Sequence, residues 1–154
     1  MERRITEEQT TKAILDWLEN NDWKIICFDF PQSGTGVSLH PNQELRTTKN
    51  KGAFIPDIVA IKNSSVVFFE NKDRFVLSDF LKVQELKISN DFSNSIEKLL
   101  NEFDYSNIYY GVGLSHSIST EQKTKDNIDK VDFAIFYHSD KTIKVLFDPY
   151  RLFH

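Results

Sequence analysis

Apolar and polar positions follow two different periods along this chain, and each period predicts a type of element. A first helix is predicted over residues 6–20, where apolar side chains recur at helical spacing, namely Ala13, Ile14, Trp17 and Leu18. Thr6 and Gln9 have the spacing of a capping box. Glu7 and Glu8 suit the positive end of a helix. The sequence therefore predicts a capped first helix.

Short runs rich in Ile, Val and Phe predict strands, at residues 23–30, 53–61, 65–71, 107–114, 131–138 and 142–148. The second and third runs are joined through a tight turn at residues 62–65, and the last two form a further hairpin. Both faces of the second and third strands are largely apolar, which indicates a sheet covered on two sides.

Residues 77–103 predict helix in two pieces that break near residues 89–91, because two apolar stripes follow one another there. Residues 119–130 are polar and predict either helix or loop, and residues 37–50 predict a loop with a short strand. The resulting order is a helix, three strands, helices and further strands. It predicts a single mixed α/β domain over residues 1–154.

Composition narrows the class of protein. The 154 residues are 40% hydrophobic and 27% charged, as in ordinary soluble globular proteins. A net charge of -4 excludes a global basic field for coating nucleic acid, although a local basic cleft stays open. The lone cysteine, Cys27, excludes an internal disulfide framework and is typical of a small buried hydrophobe in a reducing compartment.

Targeting and zinc-binding signals are not found in the sequence. The first twelve residues lack the apolar region of a secretory signal, and no apolar run reaches the roughly 18 residues that span a bilayer. The four histidines are dispersed and offer no zinc-binding spacing. We therefore expect a cytoplasmic protein with no membrane partner.

Charged residues interrupt the apolar runs within residues 56–72, which read PDIVAIKNSSVVFFENK. With the turn centred between residues 63 and 64, Asp57 faces Glu70 across the hairpin, with the two Cβ atoms about 5 Å apart. Side chains two positions apart share a face, so Lys72 projects beside Glu70. The spacing predicts two carboxylates and one ammonium in a single patch.

Two carboxylates at that separation repel each other unless a cation lies between them. Oxygen ligands favour Mg²⁺, with Mn²⁺ as an alternative, and the backbone carbonyl of Asn71 is a further candidate ligand. Lys72 could orient or deprotonate a water held by the ion, or stabilise charge on a phosphorane-like transition state. These groups suit phosphodiester hydrolysis. The structural alternative is an ion pair in which Lys72 neutralises Asp57 or Glu70.

Pro56-Asp57 followed by Glu70-Asn71-Lys72, in a strand–turn–strand context, resembles the motif of the PD-(D/E)xK nuclease superfamily. The motif covers five residues, whereas the resemblance in element order covers most of the chain. It implies a restriction-endonuclease-like α/β fold, in which helices flank a central mixed β-sheet. The implied core order is α-β-β-β-α-β, here with extra C-terminal strands. The resemblance also implies that Asp57 and Glu70 bind the metal and that Lys72 assists the water.

Many members of that superfamily place a further acidic residue on the first helix. Glu7 is the candidate, because a helical projection puts it on the same side as Ile14 and Leu18 and turns Glu8 away. The alternative is that Glu7 only complements the helix dipole.

Basic residues near the motif are candidates for contact with a nucleic-acid backbone, namely Arg46, Lys49, Lys51 and Arg74. The alternative for each of them is an ordinary solvated position.

The resemblance implies a Mg²⁺-dependent DNA endonuclease, most simply a type II restriction enzyme that cuts both strands as a homodimer. One alternative is a structure-selective nuclease, either a Holliday-junction resolvase or a repair nicking enzyme. The net negative charge of the chain mildly disfavours this alternative. Another is a version of the fold that only binds nucleic acid or a protein partner. The intact set of Asp57, Glu70 and Lys72 argues against that last alternative.

Overall fold

A computed structural model describes residues 5–30, 36–40, 42 and 54–153 of the protein. Its strands are β1 (Lys24–Phe28), β2 (Ile58–Lys62), β3 (Ser65–Lys72), β4 (Asn107–Ser115), β5 (Phe133–Tyr137) and β6 (Ile143–Phe147). Its α-helices are α1 (Glu7–Asn20), α2 (Leu77–Ile88), α3 (Ser93–Leu100) and α4 (Ile118–Lys125). A short 3-10 helix covers Ile128–Lys130.

These strands form a mixed sheet whose spatial order follows the chain, β1-β2-β3-β4-β5-β6. Strands β3, β4 and β5 are parallel, whereas β1, β2 and β6 are antiparallel to their neighbours. The predicted mixed α/β class and element order are confirmed, including the break between α2 and α3. The polar stretch before β5 forms α4 and the 3-10 helix. Because parallel strands end at the same edge, the ends of β3, β4 and β5 lie together.

Helices cover both faces of the sheet, as the apolar strands predicted. On one face α1 packs against odd-numbered residues of β3, such as Val67 and Phe69. On the other face α2 and α3 pack against Val66 and Phe68. These four side chains are at most 2% exposed, and full burial of each stabilises the fold by about 1.5–3 kcal/mol.

The first helix begins with the predicted capping box. The Thr6 hydroxyl accepts a hydrogen bond from the Gln9 amide at 3.1 Å, and the Gln9 side chain accepts one from the Thr6 amide at 2.8 Å. Both bonds satisfy amide groups that a helix start leaves without partners.

The hairpin between β2 and β3 has the predicted register. Lys62 pairs with Ser65 and Ile58 pairs with Phe69, so the turn is centred between residues 63 and 64. The two turn residues have φ angles of 49° and 67°, as two-residue hairpin turns that match strand twist require.

The strand predicted over residues 53–61 begins later than expected, at Ile58. Phe54 makes only an isolated bridge to Leu39, and Asp57 lies at a bend; residue 53 is outside the described residues. Pro56 lacks an amide hydrogen and cannot donate to a ladder. The pattern of apolar residues therefore overstated the length of this strand.

Two smaller predictions concern the burial of Cys27 and the membrane-spanning potential of the helices. Cys27 is half-buried and packs against the core, where burial raises the pKa of its thiol to about 11. None of the described helices is long and apolar enough to cross a membrane.

Candidate functional site

Three segments that are distant in sequence bring charged side chains together where β3 ends. They form what we call the acid–lysine patch: Asp57, Glu70 and Lys72 of the hairpin, Glu7 of α1 and Asp79 of α2. Glu70 and Lys72 continue the β3 face that α2 covers. The first turns of the two helices lie beside this strand end, so the patch has acids on several sides.

Asp57 is held by the backbone of β3. Its amide donates to the Phe69 carbonyl at 3.0 Å, and its Oδ2 accepts from the Asn71 amide at 2.7 Å. The carboxylate thus takes a ladder donor just beyond the last paired residues of the hairpin. Burial raises the pKa of Asp57 to about 7; the Asn71 amide opposes this shift, and the charges of Glu7 and Asp29 add to it.

Glu70 carries the most perturbed carboxyl group of the patch. The residue is partly exposed, yet its Oε2 atom is buried and has no hydrogen-bond partner in the described parts of the chain. Burial, followed by the charges of Asp57 and Asp79, raises the pKa of Glu70 to about 9. The charges of Lys82 and Lys72 oppose this shift in the pKa of Glu70 but do not cancel it.

Lys72 forms an ion pair with one acid from α1 and one from α2. Its Nζ lies 3.1 Å from Glu7 Oε1 and 3.9 Å from Asp79 Oδ2. Burial alone would lower the pKa of Lys72, but the hydrogen bond to Glu7 and the charge of Asp79 raise it. The lysine is therefore an ammonium group. Its described ion pairs are with these two helix acids, whereas the structural alternative expected a pair with Asp57 or Glu70.

The helical projection placed Glu7 correctly on the side of α1 that faces the hairpin, since it touches Lys72. Its role as a metal ligand stays a prediction. Arg74 lies two residues beyond Lys72, with its side chain 58% exposed, and it pairs with Asp73 at 2.8 Å. Contact between Arg74 and nucleic acid also stays a prediction. The other basic candidates, Arg46, Lys49 and Lys51, lie outside the described residues.

Asn71 points to the opposite face of the sheet from the patch. Its side chain is fully buried, and its Nδ2 donates to Thr11 Oγ1 at 3.2 Å. A Cβ atom on Gly113 of the neighbouring strand would overlap both Ile14 and Asn71. The hydrogen bond between Asn71 and Thr11 joins β3 to α1 and so orients Glu7. The proposed use of the Asn71 carbonyl as a ligand stays a prediction.

Sequence reasoning missed two acids of this region, Asp29 and Asp79. Asp29 follows β1, where its amide donates to the Asp57 carbonyl at 2.9 Å. Asp79 is the third residue of α2 and reads in sequence as an ordinary complement to the helix dipole. Only the burial of Asp79 and the closeness of both acids to the hairpin residues distinguish them.

A metal ion at this patch would have few protein ligands. In the described parts of the chain, no group of three or more His, Cys, Asp or Glu side chains is arranged to hold a metal. Mg²⁺ needs only one or two protein carboxylates, because it keeps several waters and binds substrate phosphate. The unpartnered Glu70 oxygen and the mutual repulsion between Glu70 and Asp57 are consistent with this smaller demand.

Comparisons of the chain with protein-family models, curated proteins and solved structures find no significant match. What the protein does is therefore inferred from the chemistry of the acid–lysine patch.

Proposed function

We propose that this protein is a Mg²⁺-dependent DNA endonuclease of the PD-(D/E)xK superfamily, with a restriction-endonuclease-like fold. The observation that supports the proposal is the pair of Asp57 and Glu70, two partly buried carboxyl groups whose pKa values are both raised, beside a lysine ammonium. The order α1, β1, β2, β3, α2, β4 is compatible with the core order of that superfamily, with α3 as an addition.

Asp57, Glu70 and the carbonyl of Asn71 would hold Mg²⁺, or Mn²⁺ in its place. When bound, the ion supplies Lewis-acid stabilisation of phosphate charge and a water of lowered pKa. The protein holds Asp57 in position for this role through the Asn71 amide. Burial keeps bulk water away from the inner oxygen of Glu70.

Lys72 is proposed to stabilise the negative charge that develops on the phosphoryl oxygens. Its ammonium state favours this role over proton abstraction, since a protonated amine cannot act as a base. Glu7 holds the ammonium on one side at 3.1 Å. A lysine fixed in this way needs little reorganisation as charge develops.

DNA is proposed as substrate because of the motif resemblance. Cutting both strands at a defined site would need a homodimer with one patch for each strand. Arg46, Lys49, Lys51 and Arg74 are proposed to contact the DNA backbone. The overall acidic charge is compatible with local rather than global contact.

The test is cleavage of supercoiled plasmid with Mg²⁺, with EDTA, and by the variants Asp57→Asn and Glu70→Gln. We expect nicks or breaks that require Mg²⁺ and are lost in both variants. Glu8→Gln is the control, because Glu8 is an exposed acid in the first turn of α1. Wild-type protein that leaves plasmid, four-way junction and single-stranded RNA intact would refute the enzymatic proposal. Uniform fragment ends from a mixed DNA pool would favour restriction, whereas selective cutting of junctions would favour resolution.

A further inference from the structure

Asp79 is a buried acid that the hairpin motif does not explain. Its side chain is 8% exposed, and its Oδ2 atom has no hydrogen-bond partner among the described residues. The Nζ of Lys72 lies 3.9 Å from that oxygen, which is too far for a hydrogen bond. Burying a carboxylate oxygen without a donor is unfavourable. Among the described residues, none supplies the hydrogen-bond donor that this buried oxygen lacks.

The unpartnered oxygens of Asp79 and Glu70 belong to the same patch. Both carboxylates act on Lys72, and the charge of Asp79 adds to burial and to the charge of Asp57 in raising the pKa of Glu70. Interaction with the start of α2 would favour an acid at position 79. That interaction does not require the acid to be buried with an oxygen lacking a donor.

We infer that Asp79 belongs to the cation site, where its Oδ2 accepts a hydrogen bond from the water shell of the ion. The inference rests on the proposed function for the presence of a divalent cation. A role through water agrees with the absence, among the described residues, of three carboxylates arranged to contact one ion. It also suits Mg²⁺, which retains several waters when bound.

The test is binding of Mn²⁺ alone, without DNA, followed through the electron paramagnetic resonance signal of the free ion. Residues that orient the surroundings of a metal contribute about 10- to 100-fold in affinity, so Asp79→Asn is expected to weaken Mn²⁺ binding by that factor. The matched control is Asp129→Asn, which removes the same charge from a side chain that is 73% exposed. Binding to Asp79→Asn within about twofold of wild type would overturn the inference.

A second comparison distinguishes an effect of Asp79 on the metal ion from an effect that acts through Lys72. The effect of Asp79→Asn is expected to persist in a Lys72→Met background; its disappearance would show that Asp79 acts only through the lysine and would overturn the inference. Asp79→Ser replaces Asp79→Asn if that variant does not fold, with the same expected loss of affinity.

The outcomes for Asp79 and for the proposed function can be told apart. Unchanged Mn²⁺ binding by Asp79→Asn, with DNA still cut by wild type, refutes only the role of Asp79. Weakened binding supports that role even if no DNA is cut. Wild-type protein that binds no Mn²⁺ refutes the role of Asp79, and it refutes both proposals if it also leaves DNA intact.

Discussion

The position of Glu70 in β3 largely buries its carboxyl group, and this burial raises the pKa of that group. The four residues that precede it in β3 are apolar and buried, and the charges of Asp57 and Asp79 repel its own charge. Without a bound metal ion, the pKa of Glu70 is therefore raised to about 9, well above that of an ordinary glutamate. Lys72 shows the opposite case, because neighbouring acids keep it charged.

The raised pKa of Glu70 predicts how stability depends on pH in metal-free protein. The folded state retains the proton up to about pH 9, whereas a glutamate in the unfolded chain loses it near its ordinary pKa of 4.5. Stability from this group is therefore complete below the unfolded pKa and is lost as pH rises towards the folded one. Urea titrations in EDTA between these limits should show the unfolding free energy falling by more than about 1 kcal/mol.

Glu70→Gln is the variant that checks this assignment. Its amide does not titrate, so its unfolding free energy should decline less with pH than that of wild type. Equal slopes for the two proteins would show that Glu70 titrates normally in the folded state.

The contact between Lys72 and Glu7 predicts a graded loss of activity. Removing a preorganised charge that stabilises a transition state costs about 100- to 1000-fold in kcat, which is the loss expected for Lys72→Met. Glu7→Gln should lose about 10-fold, because the ammonium remains but is held less firmly. Steady-state cleavage rates measure both effects, and Glu8→Gln should match wild type. Full activity in Glu7→Gln would exclude an orienting role.

At the scale of elements, the patch depends on how α1 and β4 pack around β3. Asn71 hydrogen-bonds to Thr11 of α1, and Gly113 of β4 leaves room for Ile14 and for Asn71. This close approach allows the first turn of α1 to reach Lys72. A packing contact on one face of the sheet thereby sets the position of a charge on the other face.

Gly113→Ala is expected to disturb this packing. The added methyl group overlaps Ile14 and Asn71, and overpacking of a core typically costs about 1–3 kcal/mol. Denaturant titration should report that loss, with reduced cleavage because Glu7 shifts with α1. Asn107→Ala, at an exposed position of the same strand, is the control. A Gly113→Ala protein as stable as wild type would mean that α1 adjusts at no cost.

At the scale of the whole molecule, several titratable side chains lie at the same edge of the sheet. Lys72 lies at the end of β3, and His116 and His138 follow the ends of β4 and β5. The two histidines are dispersed in sequence, yet their rings stack with centroids 4.0 Å apart, and His116 contacts Glu121 at 2.9 Å. Parallel strands explain this convergence, because they all end at the same edge.

The proposed double-strand cleavage predicts two protein chains on one DNA. Sedimentation of Asp57→Asn protein with cleavable DNA should give a complex of two chains and one duplex, since this variant is expected to bind DNA without cutting it. A complex with one chain, together with wild-type products that are only nicked, would favour a repair nicking enzyme over a restriction enzyme.

The order of elements could be predicted from the sequence because it depends on local patterns. Apolar periodicity located the described strands and the first three α-helices, and the two-residue turn set the register between Ile58 and Phe69. The polar stretch that forms α4 has no apolar stripe, so its sequence left helix and loop equally open. The beginning of β2 was predicted wrongly, since Pro56 ends the ladder in a run that is otherwise apolar.

The sequence by itself determined the α/β order, the capped first helix and the hairpin that carries Asp57, Glu70 and Lys72. These features arise from residues within about one helix or one hairpin of each other, where spacing decides geometry. Only the tertiary structure decided that Asp79 lies in the patch, that Glu7 pairs with Lys72 and that Asn71 anchors α1. The pKa values of the acids also depend on burial and on charges brought in by other elements, which the spacing of residues in the chain does not encode.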